Sequence, residues 1–277
     1  MAKLTRNGYK LNYVDYGDKH AQPVILIHGW PLSLQSWEYQ IPKIVEAGFR
    51  CIAYDRKGFG KSCATWEKYD YNALAEDLHA LIDELQLNNV ILVGFSMGGG
   101  EVVRYISNYG NTNISKIALI SSIIPLVKKT DDNEHGVPQE DLDGIVHQLE
   151  TNRLEFLEDF HKGFYSYSTL KKTVSKQQLE FDFSVASHAS PIATLKAALS
   201  WMDADFRTEC RMIEVPTLII HGKDDQTVPI ETAGDQAAKL ISNAKYIIYD
   251  DAPHGLNITH KDQLNMDLLE FLLDVKS

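Results

Sequence analysis

Short apolar runs alternate with amphipathic stretches over most of the chain. Leu11 to Tyr16 alternates in strand fashion, and Pro23-Val24-Ile25-Leu26-Ile27 is continuously apolar, as expected of a strand covered on both faces. Ser36 to Glu46 reads as a helix, with Trp37, Ile41, Ile44 and Val45 on one side and Gly48 just past its end. Cys51 to Tyr54 is another buried strand. Tyr71 to Leu87 is the clearest amphipathic helix, because Leu74, Leu78, Leu81, Ile82 and Leu85 recur at helical spacing. A strand at Val90 to Val93, a helix at Glu101 to Tyr109 and a strand at Ile117 to Ile120 continue the pattern. It resumes with a strand at Thr217 to Ile220, a helix around Thr232 to Leu240, a strand at Tyr246 to Tyr249 and a helix from Thr259 to Val275. Strands and helices joined by short links predict an α/β fold: a mostly parallel central sheet with helices on both faces.

The middle of the chain breaks this rhythm. From Pro125 to about Met212 no strong buried-strand run occurs, and apolar residues fall at helical spacing instead, as in Ile145, Leu149, Leu154, Phe156, Leu157 and Phe160. The chain is expected to divide into a core of residues 1–124 and 212–277 and an inserted helical cap of residues 125–211. Phe164, Tyr165, Tyr167, Phe183 and Trp201 are expected mostly to pack the cap's own interior, with a few facing the sheet to line a pocket. The polar stretch Lys128 to Gly136 reads as an exposed loop.

Composition narrows the function classes. The 277 residues are 44% hydrophobic and 23% charged, enough apolar material for a full core. The formal net charge of −11 has the wrong sign for gripping a phosphate backbone or an anionic lipid surface, so neither nucleic acid nor membrane is an expected partner. Three cysteines, an odd number and too few for a disulfide scaffold, favour a reducing compartment, and no Cys/His cluster has metal-ligand spacing. Met1 to Val14 is polar and interrupted by Asn7 and Gly8, unlike a signal peptide, and a cytoplasmic location is expected.

After the strand Val90 to Val93 comes Gly94-Phe95-Ser96-Met97-Gly98, with a helix following at once. Gly-x-Ser-x-Gly in strand-turn-helix context is the nucleophile elbow: a sharp turn lifts the serine oxygen above the sheet edge, and glycines avoid clashes that a Cβ would create. A serine hydroxyl needs a base, and the base needs an orienting acid. The strand Thr217 to Ile220 runs into His221-Gly222-Lys223-Asp224-Asp225, where Asp225 is the favoured acid and Asp224 its competitor. The strand ending at Tyr249 leads to Asp251-Ala252-Pro253-His254-Gly255. His254 lies 254 − 225 = 29 residues past Asp225, enough for one helix and one strand, and is the favoured base among ten histidines. His260 and the remaining loop and helix histidines read as structural or solvated. An oxyanion hole needs two N–H donors; Met97, directly after the serine, and Trp30, in the strand-end loop His28-Gly29-Trp30-Pro31, are the expected ones. His28 is expected to buttress that loop. Asp55-Arg56-Lys57-Gly58-Phe59-Gly60-Lys61-Ser62 lacks the spacing of a phosphate loop and reads as a structural loop near the rim of the site.

On Ile27-His28-Gly29-Trp30-Pro31-Leu32, Asp55-Arg56 with Gly58-Phe59-Gly60, Gly94-Phe95-Ser96-Met97-Gly98-Gly99-Gly100-Glu101 with Arg104-Tyr105, and Asp251-Ala252-Pro253-His254-Gly255, the chain resembles the α/β-hydrolases along nearly its whole length. More narrowly it resembles the cofactor-free bacterial haloperoxidases, or perhydrolases, and their aryl esterase relatives. The resemblance implies a Ser96/Asp225/His254 triad, oxyanion donors at Trp30 and Met97, a helical cap over a small acyl pocket, and no cofactor, haem or metal. The implied activity is hydrolysis of small or aryl carboxylic esters through an acyl-enzyme, with peracid formation when hydrogen peroxide replaces water. The expected partners are thus a small-molecule ester and hydrogen peroxide, with self-association into a homo-oligomer left open. A lactonase, amidase or carbon–carbon bond hydrolase using the same triad is the alternative, and a non-enzymatic receptor on this scaffold is the reading from another class.

Overall fold

The structure is a computed structural model that describes residues 2–6 and 8–274. Met1, Asn7 and Val275, on which readings of the chain ends touched, lie outside those residues.

An eight-stranded sheet carries the molecule, in the order β1-β2-β4-β3-β5-β6-β7-β8. Its strands are β1 (Ala2–Arg6), β2 (Tyr9–Tyr16), β3 (Pro23–Ile27), β4 (Arg50–Tyr54), β5 (Val90–Phe95), β6 (Ile114–Ile120), β7 (Thr217–Gly222) and β8 (Ala244–Tyr249). β1 and β2 pair antiparallel to each other, and β2 antiparallel to β4; every other neighbouring pair is parallel. The period of two along a strand divides the core: Val24 and Leu26 join the apolar cluster on one face, Ile25 and Ile27 the cluster on the other. On one face α2 (Tyr71–Glu84) and α3 (Met97–Tyr109) pack through Leu74, Leu78, Val102 and Ile106. On the other, α1 (Ile41–Glu46) and the C-terminal helix contribute Ile44, Leu264 and Leu268. The sheet and the two helical layers match the expected fold class.

Between β6 and β7 come α4 (Gln139–Thr151), α5 (Arg153–Phe164), α6 (Lys176–His188), α7 (Pro191–Asp203) and the short α8 (Arg207–Cys210), with no strand among the described residues. The chain closes with α9 (Gly234–Leu240), α10 (Leu256–Thr259) and α11 (Lys261–Leu273).

Three local expectations are corrected. Ser36 to Glu46 is not one helix: a 3-10 turn at Leu34–Trp37 is followed by α1 from Ile41. Pro42 lacks an N–H, and its ring would strike the carbonyl four residues back, so it is accommodated only at the start of a helix. The helix expected from Thr259 splits at His260, whose φ of −118° and ψ of 29° fall outside the helical range and separate α10 from α11. Within the expected exposed loop Lys128 to Gly136, Asn133 is buried. Its Nδ2 donates to Leu126 O (3.1 Å) and Lys128 O (2.8 Å), and its Oδ1 accepts from Gln236 Nε2 (2.7 Å). A side chain with both donors and an acceptor fixes this loop from inside, which an average of polar residues does not reveal.

Candidate active site

The carboxyl ends of β3, β5, β7 and β8 bring the sequence-expected residues together. Ser96 sits between β5 and α3 at φ 53° and ψ −119°, a left-handed backbone that non-glycine residues adopt at a cost of about 1–3 kcal/mol. The surrounding glycines permit the turn. A Cβ on Gly94 would lie 2.6 Å from Gly98 O, and one on Gly98 would collide with Ile27 O. A Cβ on Gly100 would press on the Tyr71 ring at 2.8 Å.

His254 Nε2 lies 3.0 Å from Ser96 Oγ, and His254 Nδ1 lies 2.7 Å from Asp225 Oδ2. Asp225 Oδ1 accepts from the backbone N–H of Thr227 (3.0 Å) and Val228 (2.8 Å). Burial pushes the Asp225 pKa up, but the charges and hydrogen bonds of His254 and His221 outweigh it, and the carboxyl is held well below its usual range. With the carboxylate ionised, His254 keeps its Nδ1 proton toward Asp225 and presents a lone pair on Nε2 to the serine. The competitor Asp224 is half exposed and points away, 3.8 Å from the Lys171 ammonium.

His221, at the end of β7, is the residue the sequence reading passed over. Its Nε2 lies 3.2 Å from Asp225 Oδ2 and 2.9 Å from Val228 O, so Asp225 is bracketed by two histidines. A histidine at a strand exit four residues before the acid was the available signal. His28 is fully buried, and its Nδ1 donates to Gly29 O (2.7 Å) while its Nε2 accepts from Arg56 N–H (3.0 Å). Burial first, then the Arg56 charge, lowers its pKa well below the usual value, so it is neutral and supports the loop as expected.

The two expected oxyanion donors border the same cavity as Ser96. Among the described residues, neither the Trp30 nor the Met97 N–H donates to a protein acceptor. The cavity measures about 50 Å³ and is walled by Trp30, Met97, Ile123, Ile145, Phe160, Trp201, Thr227 and Val228. Thus three of its walls come from helices α4, α5 and α7. The Trp30 ring meets Phe160 edge-on at 5.2 Å and Trp201 at 6.1 Å, and its Nε1 donates to Thr194 O of α7 (2.9 Å). A further aromatic of the inserted segment reaches His254: Phe164 packs edge-on against its ring at 4.9 Å, and Gly255 N–H donates to Phe164 O (2.9 Å).

A buried serine–histidine–carboxylate relay at the edge of a mostly parallel sheet, in a cavity bordered by Trp30 and Met97, places the protein among the α/β-hydrolases. The alpha/beta hydrolase fold family matches residues 22–261, and the chain belongs to that family of enzymes. It is 42% identical to a putative non-heme chloroperoxidase of Synechocystis sp. over 94% of both chains. It is 36% identical to a bifunctional esterase/perhydrolase of Acinetobacter calcoaceticus, covering 97% of this chain and 98% of the other. The crystal structure of a bromoperoxidase from Bacillus anthracis shares 43% identity and a TM-score of 0.94 over 99% of each chain. The resemblance to haloperoxidases and esterases read from the motifs is borne out. Among the described residues, no helix is long and apolar enough to cross a membrane.

Proposed function

We propose that this protein is a serine esterase of small or aryl carboxylic esters that also makes peracids from hydrogen peroxide, with Ser96, His254 and Asp225 as its triad. The observation that carries the reading is the unbroken relay from Ser96 Oγ through His254 to Asp225 Oδ2, at 3.0 and 2.7 Å. His254 Nε2 takes the serine proton as Ser96 Oγ attacks the ester carbonyl, and Asp225 stabilises the imidazolium that forms. The Trp30 and Met97 N–H groups receive the oxyanion. His254 returns the proton to the departing alcohol or phenol, leaving an acyl group on Ser96. Water then attacks with His254 as base, releasing carboxylic acid. When hydrogen peroxide attacks instead, its oxygen bonds to the acyl carbon, its proton passes to His254 and on to Ser96, and a peracid leaves. The peracid oxidises halide in solution, so no halide redox centre is required of the protein. The names of the Synechocystis and Acinetobacter relatives support this pairing of activities. The unpaired Cys51, Cys63 and Cys210 support placing the protein in a reducing cytoplasm.

Purified protein is expected to hydrolyse p-nitrophenyl acetate without peroxide, and to brominate a dye only when ester or carboxylic acid, peroxide and bromide are all supplied. Absence of ester cleavage would refute the reading.

We further propose that residues 125–211 act as a cap whose helices set the acyl length. Ile145, Phe160 and Trp201 of α4, α5 and α7 wall the narrow cavity beside Ser96, so short acyl groups are expected to be favoured over long ones. Trp201→Ala removes a wall. Its kcat/KM for the hexanoate ester relative to the acetate should rise about 10-fold or more, the range that apolar pocket contacts discriminate. An unchanged ratio across a p-nitrophenyl ester series would show that Trp201 does not limit the acyl chain.

A further inference from the structure

We infer that the buried Arg56–Glu101 ion pair sets the separation between the Trp30 and Met97 amides, an inference that rests on the reading of these amides as oxyanion donors. The two donors belong to different segments: Trp30 to the loop after β3, Met97 to the first turn of α3. Glu101 stands one helical turn beyond Met97, on the same helix. Arg56, in the loop after β4, donates from Nε to Glu101 Oε2 (3.0 Å) and from Nη2 to His28 O (2.9 Å), and its Nη2 lies 2.9 Å from Glu101 Oε2 as an ion pair. Its backbone N–H holds the His28 ring through Nε2, and His28 lies two residues before Trp30. Glu101 Oε1 accepts from the Tyr54 hydroxyl at the end of β4. One guanidinium is thus bonded to both segments that carry the amides.

Little slack exists elsewhere in this contact. A Cβ on Gly29 would lie 2.8 Å from the Phe95 ring, and one on Gly98 would meet His28 O at 3.1 Å. The two segments therefore touch backbone to backbone, and the ion pair is the polar tie across them.

Stability alone is a weak reason for such a pair. Both side chains are fully buried, and removing two charges from water costs much of what their attraction returns. Arg56 Nη1 has no hydrogen-bond partner among the described residues, a cost that an apolar pair would not carry. What the pair supplies that an apolar pair cannot is directional contact with both segments at once.

The test compares Glu101→Gln with the double variant Arg56→Met/Glu101→Leu. Ester kinetics, inhibition by benzeneboronic acid, which forms a tetrahedral adduct with a serine, and thermal melts are the readouts. The double variant should melt within about 5 °C of the parent. Its kcat should fall about 10- to 100-fold, the cost of displacing oxyanion donors without deleting them, with KM within about twofold. Benzeneboronic acid affinity should fall by the same factor as kcat/KM, while inhibition by p-nitrophenol stays unchanged; a merely structural role would not separate these two. A folded double variant with parental kcat and boronate affinity overturns the inference. If the double variant does not fold, Glu101→Gln carries the test: a matched fall in kcat and boronate affinity supports the inference, and parental values overturn it. Ser96→Ala distinguishes this failure from the larger one. Turnover that survives Ser96→Ala overturns the nucleophile assignment and this inference together, whereas Ser96-dependent turnover indifferent to the ion pair overturns this inference alone.

Discussion

Ser96→Ala is expected to lower kcat for p-nitrophenyl acetate by about 10⁶-fold, the scale reached when the nucleophile of a serine triad is deleted. Binding and the two N–H donors survive the change, so the residual rate should remain above that of buffer by about 10³-fold. The melting temperature should hardly move. Among the described residues Ser96 Oγ makes its hydrogen bond only to His254 Nε2, and alanine accepts the same backbone conformation at a cost similar to that of serine. Peracid formation should disappear in parallel, because the proposed mechanism takes both activities through the same acyl-serine. Stopped-flow ester kinetics beside circular-dichroism melts decide the matter. A variant that keeps a tenth of the parental rate would place the nucleophile elsewhere, and one that loses ester cleavage but keeps peroxide-dependent bromination would show two separate sites.

The residues of this relay were readable from the chain because each stands where a strand stops. A run such as Val90–Phe95 is buried on both faces, so its apolar continuity announces a strand, and the first polar residue beyond it lies on the sheet's carboxyl edge. Ser96 is that residue for β5, while Asp225 and His254 stand three and five residues past the ends of β7 and β8, in loops on the same carboxyl edge. Trp30 and Met97 followed from their place in the chain relative to the same edges. The division of labour between Asp224 and Asp225 was harder, since both leave β7. The structure separates them through the backbone N–H groups of Thr227 and Val228, which turn only Asp225 inward.

Contacts between distant segments were not readable. Arg56 and Glu101 are 45 residues apart, and nothing in either segment names the other as partner. The loop Asp55 to Ser62 read as structural; Asp55, Arg56 and Lys57 are in fact fully buried, with Lys57 paired to Asp77 at 2.9 Å. The aromatic residues of the inserted helices carried the same ambiguity. Helical spacing shows that Phe160, Phe164 and Trp201 face something apolar, but only the packed structure shows that they meet Trp30 and His254. The hairpin of β1 and β2 was half seen, because in the five-residue edge strand Ala2–Arg6 the alternation of exposed Lys3, buried Leu4 and exposed Thr5 is too short to stand out.

Asp225→Asn should cost about 10⁴-fold in kcat, for a reason the hydrogen bonds make specific. The asparagine carboxamide oxygen can take the place of Oδ1 and accept from Thr227 and Val228 N–H. Its NH₂ group then faces the two ring nitrogens that Oδ2 now meets, His254 Nδ1 at 2.7 Å and His221 Nε2 at 3.2 Å. His254 must turn its lone pair to that NH₂, which moves the ring proton to Nε2, where it blocks uptake of the serine proton. The substitution also reaches stability, and the sign follows from the depressed pKa of Asp225. A carboxyl whose folded-state pKa lies below its unfolded value contributes stability above the unfolded value, near pH 4, and loses that contribution as pH falls through the folded one. Asp225→Asn should therefore lower the melting temperature at pH 7, and the gap to the parent should narrow as pH drops below about 4. Steady-state kinetics with melts at pH 7 and pH 3.5 test both halves. A kcat within tenfold of the parent would deny Asp225 its orienting role, while a gap that stays constant with pH would mean that the carboxylate's charge is not what holds this corner of the site together.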